Sequence, residues 1–271
     1  MTVGHDRSDD RPPILSRKRY DEASVFTPEA LLREARRQKD VATGDVPEIC
    51  ILDPDGDIVE HLVSAGIADR HATWACYHTD LYAFERGGVP YGVIGSAVGA
   101  SFAVLGAEQL FASGCRLLIS VTSAGQILPV REPYFIVIDR ALRDEGTSYH
   151  YLPPGDYSLC DPALVEVARA VLAEASFPLE VGASWTTDAP FRETATAVAS
   201  ARETGLLAVE MEAAALYAFA AVRRRPVVCV AHVTNQMGQI EGDFEKGAAN
   251  GAVASLDVIV SIARGWLERS Q

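Results

Sequence analysis

Short apolar runs alternate along the chain with longer stretches in which apolar residues recur every three or four positions. Apolar runs of four to eight residues between turn residues read as buried strands, and the 3.6-residue recurrence reads as helix. Strands are therefore expected at 48–52, 89–94, 115–121, 134–138, 179–185, 206–209 and 226–234. Helices are expected at 30–38, 58–65, 96–112, 161–175, 213–222 and 247–267. Thr27-Pro28-Glu29 gives the first helix an N-cap, a proline at its first position and an acidic first turn. Glu85-Arg86-Gly87-Gly88 marks a hairpin turn. Strand and helix alternate and no repeat is visible, so the expected fold class is α/β: a single domain with a central mixed β-sheet flanked by helices. The polar residues 1–25 read as a flexible N-terminal arm and 26–271 as the domain.

One stretch breaks the pattern. Ala208-Val209-Glu210-Met211-Glu212-Ala213-Ala214-Ala215 places two carboxylates in an apolar run that continues to Val222. A helix apolar on all sides is buried, and buried carboxylates are costly unless they are paired or hydrogen-bonded. Glu210 and Glu212 fall at a strand-to-helix turn. They either cap the helix or accept hydrogen bonds from a ligand rich in hydroxyls, such as a sugar. The helix N-terminus favours negative charge, so Glu212 is expected to be ionised.

With 271 residues, 48% of them hydrophobic, the chain can bury one large core. Its net charge of −13 argues against nucleic acid and anionic membranes as partners. No apolar run is long enough to span a bilayer, and the first ten residues lack the apolar core of a secretory signal. The five cysteines are odd in number and widely spaced, which reads as reduced packing residues in a cytoplasmic protein. No Cys-x-x-Cys or His-x-x-x-His pair occurs, so no metal is expected. No Gly-x-Gly-x-x-Gly follows a strand, which leaves a dinucleotide fold without support. The loops near Asp53, Ser123, Asp188, Glu210 and Asn235 each follow a strand, and in open α/β sheets such loops converge on the ligand.

Five motifs, taken together, carry a family resemblance over roughly residues 47–268. They are Asp53-Pro54-Asp55-Gly56-Asp57, the stretch from Gly95 to Gly106, Thr122-Ser123-Ala124-Gly125, Thr186-Thr187-Asp188-Ala189-Pro190-Phe191-Arg192 and the Glu210-Met211-Glu212 turn. The combination resembles the nucleoside phosphorylase family, which includes uridine phosphorylase, hexameric purine nucleoside phosphorylase and the methylthioadenosine nucleosidases. The resemblance implies cleavage of a nucleoside to free base and ribose 1-phosphate, with phosphate as co-substrate and no cofactor. It makes Glu212 the acceptor of the ribose hydroxyls, Met211 the residue packed on the sugar, and Glu210 and the segment Ser123-Ala124-Gly125 further substrate contacts. His150 becomes a contact to the 5′-hydroxyl.

Asn235 stands where purine-specific members carry an aspartate, and an amide has no acidic proton to give a leaving group. The resemblance is therefore nearest to the uridine phosphorylase branch, with a pyrimidine or 6-oxo base. Arg192 reads either as a donor to a base carbonyl, with Phe191 as an apolar wall, or as a surface residue. At the phosphate site Gly56 matches the loop glycine and Ser123 the hydroxyl, but the three arginine positions fall near Glu60, Thr79 and Ser120. Phosphate is then held by Gly56, Asp57, Ser123 and basic residues such as Arg143, or is replaced by water oriented by Asp57. A third alternative is a nucleoside binder without turnover. Relatives assemble as dimers or hexamers, so the resemblance implies a homo-oligomer, dimer or hexamer.

Overall fold

The structure, a computed structural model, describes residues 12–16, 18–129, 135–174, 179–237, 241–244 and 246–269. Helix α1 (Pro28–Lys39) begins as the Thr27-Pro28 pair predicts, with the Thr27 hydroxyl accepting from the Ala30 N–H. Strand β1 (Ile49–Asp53) is buried at every position and leads through the aspartate-rich loop to α2 (Asp57–Ser64). After the short β2 (Asp69–Arg70), β3 (Tyr82–Arg86) and β4 (Val89–Gly95) form a hairpin across Gly87-Gly88. Helix α3 (Ala100–Ala112) follows, then β5 (Leu117–Gln126), β6 (Phe135–Asp144), β7 (Tyr157–Leu159) and α4 (Pro162–Glu174). The chain continues as β8 (Leu179–Thr187), α5 (Ala195–Glu203), β9 (Ala208–Glu210), α6 (Ala213–Arg223), β10 (Val227–Asn235) and α7 (Ala252–Arg269).

These strands form one mixed sheet in the order β10-β6-β8-β9-β5-β1-β4-β3-β2, with β7 beside β6. β10 also pairs with β5, so β5, β9, β8, β6 and β10 close into a ring. β5 is parallel to β1 and β10 and antiparallel to β9, which sets its carboxyl end beside the glutamate turn. The main core takes in Ile51, Leu118, Ile119, Val228, Leu216 and Phe219, all buried between sheet and helices. All five cysteines are free and buried. Among the described residues, no helix is long and apolar enough to cross a membrane.

Several expected boundaries move. The helix expected from residue 96 starts at Ala100, because Ser96 (φ 56) and Gly99 (φ 95) form a left-handed loop before it. The strand expected to end at Val121 runs on to Gln126, since β9 and β10 both pair with that extension. The helix expected from Gly247 is broken: Ala249 and Asn250 are left-handed, and regular helix begins at Ala252. β7 and α5 are additions to the expected elements. The strand expected at 134–138 begins at Phe135, residue 134 lying outside the described residues. Residues 1–11 and 17 of the expected N-terminal arm lie outside them too. Within it, Pro13–Leu15 form a 3₁₀ turn, and the Tyr20 hydroxyl donates to the Tyr149 carbonyl.

Candidate active site

Glu210 ends β9 and Ala213 starts α6, so both glutamates lie in the turn between them. The Glu210 carboxylate turns inward. Its Oε1 accepts from the Ser184 and Thr186 hydroxyls, and its Oε2 from the backbone N–H groups of Glu212 and Ala213 at 2.7 Å each. Glu210 is thus the cap of α6, and its expected place among the substrate contacts is corrected: four donors from its own chain fill it. Burial pushes its pKa up against the pull of those donors.

Glu212 is also buried, at 1% exposure, but is half-satisfied. Its Oε1 accepts the Gly99 N–H at 2.7 Å, while Oε2 has no partner. Burial first, and repulsion from Glu210 second, push its pKa up to about 8. The expectation that the helix N-terminus keeps Glu212 ionised is therefore corrected. The first free N–H groups of α6 are already taken: those of Glu212 and Ala213 by Glu210, and that of Ala214 by the Thr186 hydroxyl at 2.9 Å. With those donors spent, desolvation outweighs the helix N-terminus and favours the neutral carboxyl. Met211 is half-buried between the two glutamates.

Three strands bring the neighbouring positions together. Gly125 pairs with Val209 on one side and Asn235 on the other. A Cβ at Gly125 would sit 2.9 Å from Met237 Cγ and 3.1 Å from Val209 Cγ1, so this approach requires glycine. Ala124 is buried beside it. Asn235 Oδ1 accepts the Met237 N–H at 2.8 Å, and Nδ2 donates to the Thr234 hydroxyl at 3.2 Å. An amide nitrogen carries two hydrogens, so one donor of Asn235 remains.

The aspartate-rich loop differs from a phosphate cradle. The Gly56 N–H, the donor expected to meet phosphate, bonds the Asp53 carbonyl at 3.1 Å. The next N–H groups of the α2 terminus, from Ile58 and Val59, go to Asp53 Oδ2 at 2.9 and 3.0 Å. Burial pushes the Asp53 pKa up to about 7. Ser123 donates its N–H to Asp55 Oδ2 at 2.8 Å and its hydroxyl to Asp55 Oδ1 at 2.9 Å. Asp57, expected to orient water, is instead engaged by Lys246 Nζ and by Asn250 Nδ2. The Gly56 N–H is thus taken by a backbone carbonyl, and the Ile58, Val59 and Ser123 donors by the chain's own carboxylates. Asp53, Asp55, Asp57, Ser123, His232 and Lys246 then enclose a cavity of 20 Å³, room for about one water molecule.

No arginine reaches this cavity among the described residues. Arg143, expected as a phosphate ligand, is buried elsewhere: it donates to Ser148 Oγ and to the Leu152 and Pro153 carbonyls, and lies over the Tyr149 ring. Of the three arginine positions, Glu60 is exposed on α2 and does not line the cavity. Thr79 accepts from the Trp74 indole, and Ser120 is a buried, unpartnered hydroxyl. His232, read as a packed core histidine, does stack on Phe135, yet its ring also faces the cavity. Burial and the nearby Lys246 push its pKa down to about 4, so it is neutral.

Three expected contacts lie away from the glutamates. His150 Nδ1 meets Lys18 Nζ at 2.8 Å and lines a separate cavity of 630 Å³ under the N-terminal segment. Phe191 is 99% exposed and Arg192 is exposed. Phe191 shares an open depression with Met237, which is its one link to the Gly125–Asn235 region. Among the described residues no three His, Cys, Asp or Glu side chains are grouped to hold a metal. Sequence reasoning passed over Gly99 and Lys246, and took Asp55 only as part of the acidic loop. Lys246 carries the one legible signal, a single cation in the glycine-containing loop after β10.

The closed mixed sheet, with helices around it and its loops gathered at the carboxyl ends of β1, β5, β9 and β10, defines an α/β protein with a nucleoside phosphorylase-like fold. Residues 48–263 match the family model described as the Phosphorylase superfamily, and the chain belongs to that family. Solved structures share the fold at low identity. Uridine phosphorylase from Vibrio fischeri ES114 superposes with a TM-score of 0.68 at 20% identity, covering 82% of this chain and 95% of that one. The same enzyme complexed with 6-hydroxy-1-naphthoic acid gives 0.69 at 18% identity, covering 85% and 93%. No curated protein matches the sequence.

Proposed function

We propose that this chain cleaves the N-glycosidic bond of a nucleoside with water, not phosphate, as the acceptor. The observation that carries the reading is the Asp55 carboxylate seated on both the N–H and the hydroxyl of Ser123, where the family resemblance would put phosphate. A phosphate dianion entering there would displace Asp55 and face three aspartates with a single lysine among them. A water molecule fits the space and finds an acceptor in Asp55.

In this reading the ribose hydroxyls donate to Glu212, whose Oε2 lacks a partner, and Met211 packs on the sugar. The C1′–N bond lengthens toward an oxocarbenium-like sugar and its electron pair leaves with the base. Water forms the new C1′–O bond, its proton passing to Asp55 and from there through solvent to the departing base. Asn235 offers a neutral N–H, which suits a pyrimidine or 6-oxo base carbonyl. The base would lie against Met237, which packs over Gly125 and shares an open depression with Phe191; Arg192 is left for the outer side of that base. The homo-oligomer is carried by the resemblance and the cytoplasmic setting by the odd number and wide spacing of the five cysteines, and sedimentation would test the first. The enzymatic reading is tested by base release from uridine, thymidine, inosine and adenosine, with and without phosphate. Release independent of phosphate is expected; release that requires phosphate and yields ribose 1-phosphate would overturn it.

A further inference from the structure

Among the described charged groups around the acceptor cavity, Lys246 is the one cation, and the proposed chemistry gives it no role. Its Nζ pairs with Asp57 and lies 3.7 Å from Asp55 Oδ1, while its side chain is only 24% exposed. Among the described residues it is the one lysine or arginine lining the cavity. The acidic groups facing it are Asp53 from the end of β1, Asp55 from the β1–α2 loop and Asp57 from the start of α2. His232 faces it from β10 as a neutral ring. An acidic cluster of this kind repels its own members unless a cation sits among them.

The backbone that delivers Lys246 is itself unusual. Gly247 (φ 83), Ala249 (φ 50), Asn250 (φ 52) and Gly251 (φ 82) all lie in the left-handed region within five residues. Left-handed alanine and asparagine persist where surrounding contacts fix them, and such clusters are found at functional sites. Here the contacts are specific. Lys246 and Asn250, at either end of the distorted segment, both reach the Asp57 carboxylate. Gly251 meanwhile packs against the His232 ring. The distortion serves to bring one cation and one amide onto a single aspartate.

We propose that Lys246 is the positioning residue of the acceptor site: clamped on Asp57 by this distorted segment, it neutralises the aspartate cluster and holds Asp55 on Ser123 in the attitude needed to receive the proton of the attacking water. The inference rests on the hydrolytic reading above. In that reading Lys246 lines the water cavity but takes no proton and does not touch the nucleoside. It acts through Asp55 and supplies locally the positive charge that the Glu60, Thr79 and Ser120 positions lack.

The test uses the full chain with Lys246→Met, Lys246→Arg and Asn250→Ala. Phosphate-free base release and the rate of chymotryptic cleavage at Phe244 are both measured on folded protein. Misplacing a reacting group costs about 10- to 100-fold, so Lys246→Met is expected to lower kcat by that factor with KM for the nucleoside unchanged. It is also expected to speed cleavage at Phe244. Lys246→Arg restores both, and Asn250→Ala, which removes the second contact to Asp57, falls between. Unchanged kcat in Lys246→Met, an unchanged cleavage rate, or no recovery with arginine would overturn the proposal. If the wild-type chain releases no base without phosphate, the hydrolytic reading fails by itself. The proteolysis series then still decides whether Lys246 clamps the segment.

Discussion

Replacing Glu212 by glutamine tests the protonation of the site directly. In the folded chain its pKa stands at about 8 against an ordinary 4.5, raised by burial and by Glu210. The folded state therefore binds more protons than the unfolded chain between these values. The stability this gives is fully present below pH 4.5 and is lost as pH rises through 8. At about 1.4 kcal/mol per pH unit, the interval from 4.5 to about 8 corresponds to about 5 kcal/mol. Glu212→Gln keeps an oxygen for the Gly99 N–H and cannot ionise. Below pH 5 its amide and the protonated carboxyl of the wild type each leave one polar group without a partner, so the two proteins should melt alike. By pH 9 the variant should melt higher, by on the order of 10 °C at about 2–4 °C per kcal/mol. The assay is thermal unfolding by circular dichroism from pH 5 to 9, where all other titrating groups are common to both proteins. Parallel Tm curves across that range would refute the placement of the protonated carboxyl. The same change bears on function: two charge-assisted hydrogen bonds to ribose are worth about 1.5–3 kcal/mol each, so kcat/KM should fall by about 100-fold or more. Wild-type kcat/KM should rise with pH toward 8, because only the ionised carboxylate accepts both hydroxyls.

Further outcomes follow from the loops. Asp55→Ala frees the Ser123 N–H and hydroxyl and leaves Lys246 nearby. Calorimetry should then detect phosphate binding absent from the wild type, and no gain would count against Asp55 as the internal occupant. Gly251→Ala and Gly205→Ala both place alanine at a left-handed φ (82° and 77°), but only at Gly251 would the new Cβ meet the His232 ring and, at 2.7 Å, the Lys246 carbonyl. Urea midpoints should show Gly251→Ala less stable than Gly205→Ala by about 1–3 kcal/mol; equal midpoints would contradict the crowding at His232.

The fold is legible in the sequence because its central strands are buried on both faces and carry unbroken apolar runs, as at 49–52 and 227–231. The glutamate turn is legible because charge inside an alanine-rich run demands a reason. The elements that escape reading are those with weak patterns. α5 (Ala195–Glu203) mixes alanine, threonine and serine and buries only Ala201, and β7 spans three residues. Within the site, spacing shows that Glu212 matters but not that it is protonated. That depends on Glu210 taking the helix N–H groups, which is a matter of side-chain direction. The filling of the phosphate position by Asp55 is hidden for a similar reason, since Asp55 and Ser123 are 68 residues apart and belong to different strand ends. A loop rich in aspartate reads equally as repelling an anion or as replacing one, until the partners of Ser123 are known.

The central claim, water in the place of phosphate, is tested most directly by running the reaction on uridine with phosphate present. The account predicts free ribose as the product, with no ribose 1-phosphate. Ribose 1-phosphate as the product would contradict it.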